Sequence, residues 1–345
     1  MTHLIATHDG TFHADDVFGV AVLATVFPDH EIVRTRDPEI IDRADFAVDV
    51  GGTWDAAAGR FDHHQRGFTG ARMRLDEQGQ EVRAEAYAGA GLVWLEHGRA
   101  CVRQLAQSLG HAPDAALVDK IAADIDGALV RYIDLIDNGA ADVAPGVFGL
   151  SSQLSLLNTT WVEERQRDAR ELAALQLERF LEAMVFVTRA LQRLVLRAIG
   201  QAMAADDVRA AERLLEGRVL LLREGGMPWT RVVVEEMPQV LLVIYPESTR
   251  EQYQLRTVPA ATGSFASRMD LPAAWAGLRD AQLADATGVA DAVFCHMNLF
   301  IAGARSLEGA VRMATLALQA PADQPSPTTS PEGRPSGIAG SMRRL

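Results

Sequence analysis

The sequence predicts an α/β protein in which an N-terminal parallel-sheet domain is joined by a helical connector to a smaller C-terminal αβ domain. In the first half of the chain, short apolar runs alternate with segments whose apolar residues recur with a helical spacing. Strands that alternate with helices indicate βαβ units and a parallel sheet covered on both faces. A long helical segment follows, and further short apolar runs come after it. The 345 residues are enough for two domains.

The elements of the first half can be assigned in order from their apolar patterns. The run DVFGVAVLATVF predicts a buried helix, and Gly51-Gly52 predicts the end of the third strand. The predicted strands are His3–Thr7, Glu31–Arg34, Phe46–Val50 and Arg60–His63, and the predicted helices are Asp16–Phe27, Glu85–His97 and Ala115–Ile136. Ligands bind at the carboxyl ends of the strands in an open parallel sheet, so the residues that follow these strands are candidates for a site.

The second half begins with a helical segment rich in Ala, Leu, Glu and Arg, Trp161–Leu215, with a predicted break near Gly200. Beyond it we predict strands at Arg231–Glu235, Gln239–Tyr245, Tyr253–Val258 and Ala290–His296, and a terminal helix at Ser306–Leu318. From about Ala320 the chain is rich in Pro, Ser, Thr and Gly, which is typical of a disordered tail. The predicted regions are therefore a first domain over 1–150, a helical connector over 151–215, a second domain over 216–320 and a tail over 321–345.

The composition narrows the class of protein. Lys and Arg total 33 and Asp and Glu total 46, a net charge of −13, so the chain is no basic coat that binds nucleic acid by bulk electrostatics. Its two cysteines lie far apart, which excludes a disulfide framework and a Cys-based zinc site and favours a reducing compartment. The most apolar long stretch, Phe180–Ile199, carries Glu182 and three arginines, too many charges for a membrane span. We expect a soluble cytoplasmic protein with no membrane partner.

Histidines and carboxylates cluster directly after the predicted strands. The segment THDGTFHADD follows the first strand and opens the first helix, VDVGG ends the third strand, and FDHHQ ends the fourth. The candidates are His8, His13, Asp15, Asp49, Asp62, His63 and His64. Each residue alone fits an ordinary role, since Asp15 would serve as an N-cap and Asp9-Gly10 as a turn. Their co-occurrence on one sheet edge favours a metal site.

The ligand types indicate which ions would suit such a site. Imidazole and carboxylate without thiolate suit manganese, magnesium, iron or a mixed zinc site. Several carboxylates in one crevice repel one another, and one or two divalent cations would relieve that repulsion. Two ions about 3.5–4 Å apart form the usual clamp for hydrolysis of a phosphate ester.

Asp137 is a further candidate, in the segment IDNG. It lies three residues after Asp134 on the same helix face and just before a predicted C-cap, Asn138-Gly139. An acid at a helix C-terminus opposes the helix dipole, so it needs a compensating partner, and a metal would serve.

Taken in order, the segments THDGTFHADD, VDVGG, FDHHQRGF and IDNG resemble the DHH phosphoesterase superfamily. More narrowly, they resemble its MYG branch, the melanocyte-proliferating-gene family, which is often labelled metal-dependent protein hydrolase. The resemblance resumes in QLRTVP, GSFASR, LPAAWAGLRD and FCHMNLFIAGARSLEGA, so it covers most of the chain outside the tail and parts of the connector. It implies a DHH-type catalytic domain with two metals and a C-terminal domain that closes over the substrate. Nothing in the sequence supports a protease.

Carried over by position, the resemblance assigns a role to each clustered residue. His8, His13 and Asp49 would hold one metal, and Asp15, Asp49, His63 and Asp137 would hold the other, with Asp49 bridging. His64 would face the scissile phosphate, and Asp62 would orient a histidine. The ions implied are two divalent cations, with manganese expected and magnesium as the alternative. Many superfamily members carry Asp where His13 stands, in a loop shorter by one residue, so the role of His13 and the metal used stay open.

Four residues in the later segments are candidates for substrate binding. Arg256, Arg268 and Arg305 would clamp non-scissile phosphates, and His296 ends a predicted strand. The alternative for Arg268 and Arg305 is surface salt bridging. The helical stretch Trp161–Leu215 could bury a homodimer face or pack on its own domain.

The resemblance thus implies a divalent-metal-dependent phosphodiesterase, a 3′-to-5′ exonuclease on single-stranded RNA or short oligonucleotides. One alternative is the same chemistry on a small nucleotide or pyrophosphate-type substrate. The acidic charge and the low aromatic content, 6%, favour this alternative because long RNA prefers a basic track and stacking platforms. A third hypothesis is a non-catalytic, metal-stabilised scaffold that binds RNA or a protein.

Overall fold

The structure is a computed structural model that describes residues 2–76, 78–141 and 149–320. The chain forms two compact units, which divide between Ala202 and Met203. The predicted tail, 321–345, lies outside the described residues. No helix in the described part of the chain is long and apolar enough to cross a bilayer.

The first unit is built around a five-stranded sheet. Its strands are β1 (His3–Thr7), β2 (His30–Arg34), β3 (Phe46–Val48), β4 (Trp54–Asp55) and β5 (Arg60–Phe61). Their order is β2-β1-β3-β5-β4, in which all neighbours are parallel except the edge strand β4. The predicted parallel sheet of the N-terminal domain is therefore confirmed.

Helices pack on this sheet, and the unit also contains a separate β-hairpin. The hairpin is β6 (Ala71–Leu75) and β7 (Glu81–Ala86), and the helices are α1 (Ala14–Val26), α2 (Pro38–Arg43), α3 (Gly89–Ser108), α4 (Ala115–Ile125), α5 (Arg131–Asp137), α6 (Leu150–Ser155), α7 (Trp161–Glu164) and α8 (Ala169–Ala210). A π-helical turn, Asp126–Val130, joins α4 to α5. Ten consecutive residues of α1, from Ala14 to Leu23, are buried, as its uniformly apolar sequence requires.

Two segments of the first unit differ from the sequence prediction. The predicted helix Glu85–His97 begins at Gly89, because the residues before it pair with β6 as the strand β7. The predicted break near Gly200 is absent, and α8 runs through it. A single glycine costs a helix about 1 kcal/mol, which the burial of flanking residues such as Val195 and Ile199 offsets.

The predicted connector is largely part of the first unit. Buried residues of α8, among them Phe180, Leu191 and Val195, join the same hydrophobic core as the sheet and α1. For this reason the boundary between the units lies near the end of the helix, at 202/203, and not at 150 and 215.

The second unit contains a mixed six-stranded sheet. Its elements are β8 (Glu212–Leu214), β9 (Val219–Leu221), α9 (Thr230–Glu236), β10 (Leu242–Pro246), β11 (Tyr253–Thr257), α10 (Asp280–Thr287), β12 (Ala292–Cys295), β13 (Ile301–Ala304) and α11 (Leu307–Gln319). The strand order is β12-β13-β11-β10-β9-β8, and of these neighbours β9 and β10 are parallel while the others are antiparallel. The predicted C-terminal αβ domain is confirmed.

The predicted strand Arg231–Glu235 is wrong, because these residues lie in the helix α9. Three successive valines indicated a strand from their β-branched side chains. In the structure Val232 and Val233 are buried beside Trp229 in a small core, and tertiary packing outweighs the local preference.

Candidate metal centre

The residues that follow β1, β3 and β5 meet at one edge of the sheet. Thr7 pairs with Val48, and Val48 pairs with Phe61, so the next residue on each strand falls in one row. That row is His8, Asp49 and Asp62, all of them buried. Asp49 has a φ of 54°, in the left-handed region, and begins the turn that Gly51 and Gly52 continue. A non-glycine residue in this region is typical of functional sites.

The first predicted ligand group comes together around His8. Ligand atoms of His8, His13 and Asp49 all lie within 4.8 Å of one another. The Nε2 atom of His8 is 3.4 Å from Asp49 Oδ2. Its Nδ1 lies 3.0 Å from the Asp9 carbonyl oxygen, to which it donates a hydrogen bond in the tautomer that leaves the Nε2 lone pair free. This hydrogen bond orients the His8 ring so that Nε2 can bind a cation.

The second predicted group comes together around His63. Ligand atoms of Asp15, His63 and Asp137 lie within 4.8 Å of one another, and so do those of Asp49, His63 and His64. The Nε2 atom of His63 is 3.2 Å from Asp137 Oδ2 and 3.5 Å from Asp49 Oδ1. Asp49 thus takes part in both groups, where a bridging ligand would lie. The structure thus brings the six predicted ligands close together, and their assignment as metal ligands stays a prediction. They are His8, His13, Asp15, Asp49, His63 and Asp137.

Charge is concentrated strongly in this crevice. Burial raises the pKa of Asp15 well above its usual value, and the carboxylates of Asp49 and Asp137 raise it further. Burial opposes the charged form of His63, but the neighbouring carboxylates of Asp137 and Asp49 outweigh it and raise the His63 pKa to about 11. The site without metal therefore retains protons that a cation would displace, as is general for sites whose ligands must be deprotonated.

Among the described residues, three buried atoms of the crevice have no hydrogen-bond partner: Asp16 Oδ2, Asp49 Oδ1 and His63 Nε2. Buried polar atoms are nearly always hydrogen-bonded in native proteins. Three unpaired atoms in one crevice therefore indicate that a bound ion would complete their interactions. The donors are carboxylate oxygens and imidazole nitrogens, which suit manganese or magnesium better than a soft ion. These residues fit a pair of divalent cations.

Asp16 is a site residue that the sequence analysis did not select. It is fully buried, its Oδ2 lies 3.2 Å from His8 Nε2, and its Oδ1 accepts the backbone N–H of His13 at 2.8 Å. Burial raises the pKa of Asp16 to about 7, against the opposing effect of His8. The signal in the sequence was the acid three residues after the helix N-cap, which is the spacing of a capping box.

The N-terminus of α3 anchors two acidic residues from other helices. The backbone N–H groups of Gly89 and Ala90 donate to the two carboxylate oxygens of Asp15 at 2.9 and 2.7 Å. That of Gly91 donates to Asp134 at 3.0 Å. The positive end of a helix dipole stabilises such carboxylates. The amides of α3 thus fix the position of Asp15.

His64 differs from the other histidines because its side chain is 63% exposed. Its Nδ1 lies 2.9 Å from Asp62 Oδ1, and its own backbone N–H donates to the same oxygen. The other oxygen of Asp62 accepts the N–H of Gly52 at 2.6 Å. Asp62 therefore holds the His64 ring through Nδ1, and Nε2 makes no hydrogen bond to the described residues.

The loop between His8 and His13 is tied down by residues from distant parts of the chain. The side-chain amide of Asn158 donates to Phe12 O and accepts from Phe12 N, both at 2.9 Å. Arg34 donates to Gly10 O at 2.7 Å, and Arg36 donates to Asp9 O at 2.8 Å. No local pattern marked Asn158, because its partner lies 146 residues away.

We expect Asn158→Ala to weaken metal binding about tenfold, by the usual effect of residues that orient ligands. The substitution removes both bonds to Phe12 and lets His13 move relative to His8. Calorimetric titration with manganese measures the affinity, and kcat at saturating manganese should change less than the affinity does. Asn298→Ala, at an exposed site in the second unit, is the matched control. Unchanged manganese affinity in Asn158→Ala would contradict the positioning role.

A cavity of about 1180 Å³ opens over the site and is lined by residues of the first unit. His8, His13, Asp49, His64 and Asp137 line it on one side. Hydroxyl groups of Thr11, Ser151, Ser152 and Ser155 and the guanidinium of Arg36 also line it. Arg36 is paired with Asp9, so the cavity contains little free positive charge besides the histidines.

The four candidates for substrate binding lie in the second unit, in different environments. Arg256 and His296 both lie beside the Phe300 ring. Arg305 is 68% exposed, with its Nη2 atom 3.9 Å from Asp280. Arg268 donates four hydrogen bonds to carbonyl oxygens at the end of α9, those of Val233, Val234, Met237 and Val240. Four of its five N–H donors are thus engaged, which corrects its predicted phosphate contact to a helix-capping role.

Comparison with known sequences gives one consistent result. A sequence profile described as "Uncharacterised protein family (UPF0160)", with the short name MYG1_exonuc, matches residues 4–318. A MYG1 protein of Caenorhabditis elegans is 34% identical over 346 residues, covering 94% of this chain and 98% of its own length. The MYG1 exonuclease of Mus musculus is 34% identical over 343 residues, 94% of this chain and 86% of its own. That of Homo sapiens is 33% identical, covering 91% and 85%.

Solved structures give a weaker likeness. Exonuclease RecJ bound to manganese is 17% identical, covers 93% of this chain and 91% of its own, and has a TM-score of 0.28. RecJ of Thermus thermophilus in complex with Mg²⁺ is 16% identical with a TM-score of 0.27, covering 93% and 50%. These scores are too low for the likeness to bear on the present fold or site.

Proposed function

We propose a function from one premise: the chain belongs to the uncharacterised protein family UPF0160, the family of the MYG1 proteins. The profile match and relatives about one-third identical over nearly the whole chain confirm the predicted MYG branch. Relatives named as exonucleases bear out the prediction that the chain is a metal-dependent hydrolase. Beyond this, we propose a two-metal phosphodiesterase that removes nucleotides from the 3′ end of single-stranded RNA or short oligonucleotides.

One observation carries the proposal: two ligand groups that share Asp49 lie at the floor of a large open cavity. In this arrangement His8, His13 and Asp49 would hold one cation, and Asp15, His63, Asp137 and Asp49 would hold the other. When bound, the two ions supply Lewis-acid stabilisation of the phosphoryl oxygens and activate water, manganese being the expected metal. Asp49 would serve both ions, because its carboxylate oxygens belong to both ligand groups.

His64 supplies the remaining chemistry from the chain itself. In the site without metal, Asp49 raises the pKa of His64 to about 9, with burial opposing and Asp62 adding to the effect. The Nε2–H of the protonated ring is available to donate to a phosphoryl oxygen of a substrate in the cavity. Such a donor is most effective for charge that develops in the transition state. Asp62 keeps the ring in place for this purpose.

The cavity favours a nucleotide chain over a bare pyrophosphate. Its volume of about 1180 Å³ exceeds the pockets of roughly 300–1000 Å³ that hold drug-sized ligands. The hydroxyl groups of Ser151, Ser152 and Thr11 can bond ribose and phosphate oxygens along it. The sparse free positive charge of the lining favours a short oligonucleotide over a long RNA.

A small nucleotide is the second candidate substrate. The net charge of −13 supports it, because extended contact with a polyanion would require a basic surface.

The expected result is hydrolysis of a 5′-labelled single-stranded RNA in manganese, with products that shorten from the 3′ end, and none in chelator. Bis-p-nitrophenyl phosphate is assayed alongside, and circular dichroism checks that the chelated protein stays folded. Turnover of the small ester with no cleavage of RNA would replace the exonuclease with an enzyme of small nucleotides. If the metal-loaded protein hydrolysed neither substrate, the proposed chemistry would be contradicted. The hypothesis of a non-catalytic binding scaffold would then remain.

A further inference from the structure

A second polar and aromatic pocket lies in the second unit, on one face of its sheet. Four residues in register across β10, β11, β13 and β12 form a row: Tyr245 pairs with Gln254, Gln254 with Gly303, and Gly303 with Phe294. Cross-strand partners share a face, so these side chains point to the same side. A cavity of about 470 Å³ is lined by Tyr245, Gln254, Phe294 and Phe300. One hydrophobic core of the unit, including Leu255 and Ala302, lies on the opposite face, and a smaller core around Trp229 borders Tyr245.

Gly303 leaves room for a ring to lie over the sheet. A Cβ atom at this position would be only 2.8 Å from Cε1 of Phe294, which shows that the ring leans directly over the glycine backbone. Phe294, Phe300 and Tyr245 are each only partly buried. The pocket thus contains aromatic rings that are accessible for stacking. Stacking of this kind accepts any nucleobase because every base has a π-face.

The floor of the pocket is polar and incompletely paired. Gln254 is only 8% exposed, and its Nε2 donates to Glu247 at 3.0 Å. Its Oε1 is buried and has no hydrogen-bond partner in the part of the chain that the structure describes. Buried acceptors without partners are rare, and one in the lining of a cavity indicates a donor brought by a ligand. A purely hydrophobic occupant would leave this atom unsatisfied.

Two arginines flank the rings and have the charge that phosphates require. The guanidinium carbon of Arg279 lies 5.9 Å from the centroid of Phe294, and that of Arg256 lies 5.8 Å from the centroid of Phe300. In the described part of the chain, neither has a carboxylate within salt-bridge distance, so both are available to an anion. An aromatic pair, an unsatisfied acceptor and two unpaired cations match a planar base joined to phosphates.

We propose that this sheet face binds a nucleobase of a single-stranded nucleic acid, with Phe294 and Phe300 stacking on the base and Arg256 and Arg279 contacting its phosphates. The inference rests on the proposed function, since it names the part of an oligonucleotide that the second unit holds. It gives the substrate-binding role predicted for Arg256 a physical basis. It also assigns roles to Phe294, Phe300, Gln254 and Arg279, which lie within the resembling segments but had no role in the sequence analysis.

The test compares two ligands that differ only by the base. Calorimetry on the full-length protein in manganese measures binding of adenosine monophosphate and ribose 5-phosphate. We expect the first to bind at least about tenfold more tightly, and Phe294→Leu to remove that difference. Phe294→Tyr keeps a ring and should retain it. Phe265→Leu, at a fully exposed phenylalanine outside the pocket, is the matched control.

Gly303→Ala gives a second approach that leaves every aromatic residue in place. The added methyl group would displace the Phe294 ring and should weaken adenosine monophosphate binding in the same direction. Thermal unfolding of each variant shows that the fold is kept. Equal affinity for the two ligands in the wild type, or wild-type binding by Phe294→Leu, would overturn the proposal, and a protein-docking face would then be the better explanation.

The outcomes separate this inference from the proposed function. The kcat for bis-p-nitrophenyl phosphate, measured on the wild-type protein and on Phe265→Leu, tests the catalytic function separately, because this ester has no nucleobase and the candidate metal centre belongs to the first unit. If the enzyme is active and Phe294→Leu binds adenosine monophosphate as tightly as the wild type, the base site is overturned and the catalytic function is not. Base-dependent binding that requires Phe294, in a protein that hydrolyses nothing, supports the base site and contradicts the catalytic function.

Discussion

Asp49→Asn is expected to lower kcat for phosphodiester hydrolysis by on the order of 10³-fold or more while the protein stays folded. Asp49 is shared by the two ligand groups, and its buried Oδ1 has no hydrogen-bond partner within residues 2–76, 78–141 and 149–320. Asparagine keeps the shape but removes the negative charge that would hold two cations together. It is also a residue that tolerates the left-handed backbone observed at this position.

The measurement is the manganese-dependent rate on bis-p-nitrophenyl phosphate, together with manganese affinity by calorimetry and the far-ultraviolet spectrum. Asp119→Asn is the control, because this carboxylate is 56% exposed and pairs with Arg99 at the surface. Loss of the Asp119 charge should change neither the hydrolysis rate nor the manganese affinity appreciably. If Asp49→Asn retained most of the activity, Asp49 would not be a bridging ligand, and the two groups would not act as one site.

Arg72→Met is expected to lower the free energy of unfolding by about 3–5 kcal/mol, the usual effect of breaking a buried ion pair. Arg72 is 8% exposed and donates to Asp134 at 2.6 Å and to Asp126 at 2.6 and 2.9 Å. Burial raises the pKa of Asp134 to about 6 even though Arg72 is present to oppose it. Without the guanidinium, a fully buried carboxylate would lose its counter-ion at neutral pH.

Denaturant unfolding of the chain without metal measures this effect. Arg83→Met is the matched control, because Arg83 lies on the same hairpin at an exposed site. This substitution should change the free energy of unfolding by less than about 0.5 kcal/mol. Because Asp134 lies one helical turn before Asp137 on α5, the metal affinity of Arg72→Met should fall as well. Equal stability of the two variants would show that the network contributes little to the first unit.

Local patterns were sufficient for much of this protein. Strand ends, helix starts and the order of the histidine and aspartate segments located the residues that the structure brings together. This worked because parallel strands end at the same sheet edge, so three separate segments converge without any knowledge of the contacts. The end of α5 at Asp137 also followed from the sequence, since Asn138-Gly139 is a strong stop signal.

The errors have one physical origin, which is packing between distant residues. The helix α9 carries a strand-like run of valines, and burial beside Trp229 decides its conformation. The connector joins the first unit because its apolar stripe covers a core formed by other elements. The guanidinium of Arg268 caps a helix that the sequence had assigned as a strand, so its role could not be foreseen.

By itself, the sequence determined the fold class and the family and supplied the candidate metal ligands, because these depend on residue types and on the periodicity of local elements. Only the tertiary structure decided which atoms are left unsatisfied and which residues hold the ligands in place. Asp16, Asn158 and the row from Tyr245 to Phe294 acquire their roles from contacts across the chain. Such contacts depend on strand register and burial, which short-range patterns do not encode.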